Sequence, residues 1–364
     1  MITCHIIQMI KEITDMNTEN KVMTFEEHYV CPDIVDLCYD YAEKNAAPLE
    51  KKRLEAGREF VKKSPLTDLG DKRIAWMDQN GVDIQVLIYG DNAPQDLPAE
   101  LAVDACRKAN DWLAAQIRKH PDRFIGFATL PVDDPEAAAE ELRRCVNELG
   151  FRGAGLKATY AGKEFMDEPG FEPVWAAAEE LNVPVILHPT DVKEDVAKEY
   201  YQGKNIDPLI SIMLSGSAIG WHYETGVAYL RLVVSGLLDR HPDLKLIMGH
   251  WGEMLPYYFD RLDMVLGNLA KGKLQHNVSY YFKKMYVMPS GMIPADENAK
   301  PEIDTDFRTC LDFFGEDHIL WGNDYPYRID APMPKTGNYI KGLPLSDEAK
   351  QKIMNRNGKT VLGL

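Results

Sequence analysis

One pattern constrains this chain more than any other. A short apolar run leads into a helix-forming stretch, and the order repeats eight times. The apolar runs fall at 22–26, 84–89, 124–128, 153–157, 183–187, 244–248, 285–288 and 319–322. Helical stretches follow at 69–80, 97–119, 134–148, 170–181, 224–240, 252–268, 304–314 and from 345 onward. A strand-then-helix series implies parallel strands, because each helix must carry the chain back to the same edge. Eight such units in 364 residues fit a closed (β/α)8 (TIM) barrel. An open, doubly wound sheet normally asks for a glycine-rich first turn, and Glu26-Glu27-His28-Tyr29 is not one. Residues 1–20 read as an N-terminal extension and 21–364 as a single domain. The stretches 29–66, 195–222 and 291–303 read as insertions at the C-terminal face of the strands.

Composition matters mainly for what it excludes. A net charge of −16 argues against a nucleic-acid partner, which favours a basic face. No apolar run approaches the ~18 residues that a membrane span requires. The N-terminus lacks the basic region and apolar core of a signal peptide. Six scattered cysteines without a framework spacing read as reduced thiols, so a cytoplasmic location is expected.

In a parallel barrel the reactive groups gather at the C-terminal strand ends, whatever their separation in sequence. Glu26 and His28 close the first strand, two residues apart and so on one face of an extended chain. His188 closes the fifth strand, His250 the sixth and Asp324 the eighth. Several independent strand ends that each carry a metal-competent side chain point to one shared metal site. Glu27 alternates away from His28 and is the weaker candidate. His120 and His241 lie in matching Arg/Lys-His-Pro-Asp segments between a helix and a strand, where cationic side chains suit a helix end and proline stops it. Both read as structural.

The chain resembles the amidohydrolase superfamily, and within it the metal-dependent decarboxylases of γ-resorcylate, 2,3-dihydroxybenzoate and 5-carboxyvanillate. Aminocarboxymuconate semialdehyde decarboxylase is a more distant likeness. The resemblance spans residues 22–364. It is carried by Phe25-Glu26-Glu27-His28-Tyr29, Cys145-Val146-Asn147-Glu148-Leu149-Gly150-Phe151, Leu187-His188-Pro189, Met248-Gly249-His250-Trp251-Gly252-Glu253 and Asn323-Asp324-Tyr325-Pro326. It implies that Glu26, His28, His188 and Asp324 hold one divalent metal ion. The first strand carries Glu-x-His rather than His-x-His. The harder, more anionic donor set favours Mn²⁺, ahead of Zn²⁺ or Mg²⁺.

The same resemblance puts His250 and Glu253 beside the substrate as catalytic groups and Asp324 in the role of proton donor. It has Arg261 reach the site of a neighbouring subunit, which implies a homodimer or homotetramer, and it has Asn92 line the pocket. Lys157 departs from the pattern, since a neutral amide is expected there. It is expected to pair with a substrate carboxylate or to snorkel to solvent, with a carbamylated bridge as the weaker reading. The activity implied is non-oxidative decarboxylation of an ortho-hydroxybenzoate, a small aromatic carboxylate. The ipso carbon is protonated first and CO₂ then leaves. A proton-donating carboxyl needs a raised pKa, and Glu253 is the expected neighbour to raise it. The same ligands would serve a lactone or ester hydrolase, or a binding protein without turnover. Glu26 in place of a histidine weighs against the first, and an intact ligand set against the second.

Overall fold

The computed structural model describes residues 21–46, 48–90, 92–160, 164–329 and 332–364. The N-terminal extension expected at 1–20 lies outside the described residues. The parallel strands are β1 (Met23–Tyr29), β2 (Ile84–Tyr89), β3 (Phe124–Gly126), β4 (Ala154–Lys157), β5 (Val185–His188), β6 (Leu246–Met248) and β7 (Tyr286–Val287). They pair in the runs β1-β2-β3 and β4-β5-β6-β7. Isolated parallel bridges carry the circuit further: Ala128 meets Ala154 between β3 and β4, Val287 meets Ile319, and Gly322 meets Phe25. Segment 319–322 therefore takes the eighth place, joined to β7 by Leu320 N–H to Val287 O and to β1 by Phe25 N–H to Trp321 O, both 2.8 Å. The result is the (β/α)8 barrel that the alternation predicts.

Two separate apolar clusters follow from the period-two pattern of the strands. Met23, Phe25, Ile84, Val86, Ile88, Ile125, Phe127, Ile186, Ile247, Met288 and Leu320 fill the barrel, with Val361 and Leu362 from the last helix packed against them. Leu87, Tyr89, Leu156, Val185, Leu187, Leu246 and Met248 belong to the larger cluster between strands and helices. One strand thus feeds both cores through alternate residues.

Elements above the C-terminal ends form the mouth. Residues 29–66, expected as an insertion at the C-terminal face, hold the helices Val35–Asn45 and Pro48–Lys63. The 195–222 insertion contains a short helix, Pro208–Ser215, and runs into the long helix Gly220–Val234. Among the described residues, no helix is long and apolar enough to cross a membrane.

Candidate metal centre and active site

The first strand does not reach the site by simple alternation. It runs on to Tyr29 rather than ending near residue 26, and its register against β2 shifts between Thr24 and Glu27. One extra residue is accommodated there, with Glu26 at φ 54°. Met23 and Phe25 face the barrel interior. Regular pleating would send Glu27 inward next. The bulge reverses the parity and turns Glu26 and His28 inward instead. A left-handed glutamate costs on the order of 1–3 kcal/mol and persists only where its surroundings enforce it.

Glu27, facing outward, is engaged elsewhere. Its two oxygens accept the backbone N–H groups of Asn323 and Tyr325, each at 3.0 Å. Arg73, also fully buried, donates to His28 O at 2.5 Å and lies over the Tyr325 ring. Glu27 therefore fixes the loop that carries Asp324, and it has no oxygen left for a ligand.

Around the centre, Glu26, His28 and His188 offer ligand atoms that all lie within 4.8 Å of one another. Glu26 Oε2 accepts from the Ser290 hydroxyl, while Oε1 is buried without a partner among the described residues. A Cβ on Gly249 would stand 2.7 Å from Glu26 Oε2, so only glycine lets the β6 end pass this carboxyl. His188 Nδ1 donates to Pro189 O at 2.7 Å, which leaves the Nε2 lone pair 3.6 Å from Glu26 Oε1. His28 meets His188 edge to face at 4.9 Å between ring centroids. Its Nε2 lies 3.0 Å from Asp324 Oδ1 but outside hydrogen-bonding angles, and both of its ring nitrogens are unspent. Asp324 is itself left-handed, at φ 60°.

Burial pushes Glu26 and Asp324 up to about 7. It pushes His28 down to about 3, with the charges of His250 and Arg73 adding to the effect, and His188 well below its ordinary value. Carboxyls that resist ionisation beside imidazoles that resist protonation share one remedy, a cation among them. Buried oxygen and nitrogen atoms without partners fit that requirement. The four residues therefore have the chemistry to hold a divalent ion.

A second group stands beside this centre. Residues 252–254 were expected to open the helix 252–268, directly after the strand that His250 ends. Instead His250, Trp251, Gly252, Glu253 and Met254 all have positive φ, between 44° and 82°, and form one left-handed turn. Trp251 pins it: its N–H reaches Met288 O at 2.9 Å, and its indole N–H reaches Met292 O at 3.1 Å. The turn brings His250 Nδ1 to 2.8 Å from Glu253 Oε1 and aims His250 Nε2 at Glu26 Oε1, 3.8 Å away. Glu253 Oε2 takes a second histidine, His222 Nδ1, at 3.0 Å. Burial opposes the Glu253 charge, but the two histidines outweigh it and hold the carboxylate below its ordinary value. His250 is pushed up to about 9: burial works against its charge, and Glu253 and Glu26 overcome it. The expectation that Glu253 raises Asp324 is not met. Burial raises Asp324, and Glu253 is occupied by its two imidazoles.

These groups open into a cavity of about 480 Å³ lined by Asn92, Lys157, His188, His222, His250 and Asp324, with Arg53, Tyr327 and Arg328 also on its wall. Lys157, paired in register with His188, is mostly buried and makes an ion pair with Asp96 at 2.7 Å. That pairing keeps an ammonium in place and argues against a carbamate or a solvent-seeking side chain. Arg261 is exposed on the helix Phe259–Ala270 and does not line the cavity. His241 bonds Glu179 and Glu172 and is structural, as expected. Sequence reading did not assign His222, Ser290, Arg53 or Arg328 to the site. Only His222 left a usable trace, as the last residue of the 195–222 insertion expected at the C-terminal face.

Comparison with known proteins gives consistent likenesses. A family model described as amidohydrolase matches residues 71–364. The chain is 34% identical to gamma-resorcylate decarboxylase of Rhodococcus jostii over 312 residues, covering 82% of this chain and 89% of that protein. It is similar to 5-carboxyvanillate decarboxylase of Novosphingobium aromaticivorans, solved with manganese and 4-hydroxy-3-methoxy-5-nitrobenzoic acid. That likeness has a TM-score of 0.81 at 28% identity and covers 96% of this chain and 98% of the other. It is also similar to a Polaromonas dihydroxybenzoic acid decarboxylase, solved with manganese and 2-nitroresorcinol. Here the TM-score is 0.77 at 29% identity, with 95% and 97% covered.

Proposed function

This chain belongs to the amidohydrolase family, and from that premise we propose that it is a manganese-dependent carboxy-lyase that removes CO₂ from an ortho-hydroxybenzoate. The observation that carries the reading is the Glu26-x-His28 pair. A bulge turns it toward His188 and Asp324, which line a cavity of about 480 Å³, and its own buried ligand atoms are unspent.

Glu26, His28, His188 and Asp324 are the proposed ligands. A divalent ion bound there supplies open positions that orient the substrate carboxylate and ortho oxygen and spread their charge. Asp324 is the proposed proton donor. Loss of CO₂ straight from the ring would leave an sp² carbanion, so the proton must reach the ipso carbon first. Asp324, on the wall of the cavity, gives up its carboxyl proton as the new C–H bond forms. The electrons of the C–C bond then return to the ring and CO₂ departs. His250 Nε2 faces the same space and orients the phenolic oxygen, with Glu253 fixing its ring. Lys157 and Asn92, which line the same cavity, are proposed substrate contacts.

We read the assembly as a homodimer or homotetramer in which Arg261 reaches the neighbouring copy. In support, Tyr257, Tyr258, Met264 and Leu269 around it are each more than half exposed. The buried free thiols Cys31, Cys38, Cys106, Cys145 and Cys310 support a cytoplasmic location.

The test is to load the protein with Mn²⁺ and measure CO₂ release from ortho-, meta- and para-hydroxybenzoates beside ring opening of aromatic lactones. CO₂ release from the ortho compounds alone is expected. Lactone opening without CO₂ would replace this reading with a hydrolase.

A further inference from the structure

Helix Gly220–Val234 meets the catalytic centre along a single stripe. His222, Gly226 and Tyr229 are spaced i, i+4, i+7 and so share one face. Each touches a different part of the machinery. The Tyr229 hydroxyl accepts from Leu187 N–H at 2.9 Å and donates to Ile247 O at 2.5 Å, which ties the helix to β5 and β6 just below His188 and His250. At Gly226 a Cβ would stand 2.5 Å from Glu253 O, so the helix lies directly against the left-handed turn. One turn earlier, His222 Nδ1 bonds Glu253 Oε2, and the His222 ring lies 4.3 Å from that of His250 between centroids.

The far side of the His222 ring is fixed as well. The Trp221 indole N–H reaches His222 Nε2 at 2.9 Å. Nε2 also lies 3.2 Å from Ser217 O, and the hydrogen on Nδ1 is fixed from the other side of the ring, because the Glu253 carboxylate there can only accept. Glu253 is thus a shared acceptor between two imidazole N–H groups, one on the left-handed turn and one on the helix.

We infer that His222 is a positioning residue, delivered by this helix, that holds the Glu253 carboxylate in the orientation in which it aligns His250. The inference rests on the decarboxylase reading only for the role of His250 toward substrate; the alignment itself is a separate, measurable property. A carboxylate with one imidazole partner is free to rotate about its last torsion. With two partners on opposite oxygens it is not, and the His250 ring is then held through Nδ1 with Nε2 directed at the reacting centre.

Two substitutions separate positioning from bulk. His222→Phe keeps the ring volume and removes the donor. His222→Asn places an amide N–H close to the position of Nδ1. The full chain, loaded with diamagnetic Mg²⁺ and labelled at histidine nitrogen, is expected to show strongly hydrogen-bonded imidazole N–H signals from His222 and His250 beside those of His188 and His241, each assigned by its loss when that histidine is replaced. His222→Phe should lose the His250 signal as well as its own, and His222→Asn should retain the His250 signal. With Mn²⁺ and an ortho-hydroxybenzoate, His222→Phe should lower kcat about 10- to 100-fold with KM within about twofold, and His222→Asn should recover most of the loss. A His250 signal that persists in His222→Phe would overturn the inference, as would equal defects in the two variants or a change confined to KM. Absence of CO₂ release from the wild-type protein would count against the decarboxylase reading, and the nitrogen spectra would still decide the role of His222.

Discussion

The two ends of the barrel use the same side chains to opposite effect. At the N-terminal end of β6, both ring nitrogens of His241 are engaged by carboxylates, Glu179 at 2.8 Å and Glu172 at 2.9 Å. Nothing on that ring is left over. At the C-terminal mouth His28 has two unspent nitrogens, Glu26 an unspent oxygen, and His188 a free lone pair created by its Pro189 bond. Histidine and glutamate alone therefore do not mark a functional site. Single unspent atoms such as Asn355 Nδ2 also occur elsewhere; what marks the mouth is that unspent ligand atoms, each costing about 1–3 kcal/mol to bury, converge within 4.8 Å of one another.

The largest effect expected from this contrast comes from removing one unspent donor. Glu26→Gln keeps the shape of the side chain and removes its charge. Metal content measured on the purified variant should fall from about one ion per chain to a small fraction of that. CO₂ release should drop about 10³-fold, the equivalent of several kcal/mol of lost charge stabilisation. Full metal occupancy in Glu26→Gln would mean that this carboxyl is not a ligand and that the unspent atoms have another explanation.

The adjacent carboxyl sharpens the comparison at a range of one residue. Burial raises both Glu26 and Glu27 to about 7, yet Glu27 is fully engaged by two backbone amides and lies beside buried Arg73. Glu27→Gln offers one acceptor where two amides need one, and it leaves the arginine without its counter-charge. A loss of about 3 kcal/mol in unfolding free energy is expected, measured by denaturant titration. The folded fraction should still bind metal. The opposite pattern, intact stability with lost metal, would exchange the roles assigned to the two glutamates.

That pair also shows how far the sequence could be read. The strand-helix alternation gave the barrel because apolar periodicity is a local property. His188, His250 and Asp324 were legible because each ends an apolar run. The choice of Glu26 over Glu27 came from assuming regular pleating near a strand end. The assignment agrees with the geometry here for a different reason, since a bulge inside a longer strand resets the parity. The left-handed turn at 250–254 was invisible for the same cause: four of its five residues are not glycine, and tertiary anchors such as Trp251, not local preference, impose it. His222 acts through helix registry against a turn that itself could not be foreseen.

The smallest effect belongs to the far end, and it is the control on which the contrast depends. His241→Gln would leave one of two part-buried glutamates without its partner. Glu172 keeps Arg240, through bonds of 3.1 Å, and Glu179 keeps the Asp243 N–H at 3.0 Å. Because both carboxylates retain other donors and are partly exposed to water, the loss should be about 1 kcal/mol. Among the described residues the His241 ring is bonded to Glu179 and Glu172, neither of which lines the cavity, so metal content and the rate of CO₂ release should equal those of the wild-type protein. A rate change in His241→Gln larger than its stability change would mean that the two ends are coupled through β6, and that a fully satisfied histidine can still govern one that is not.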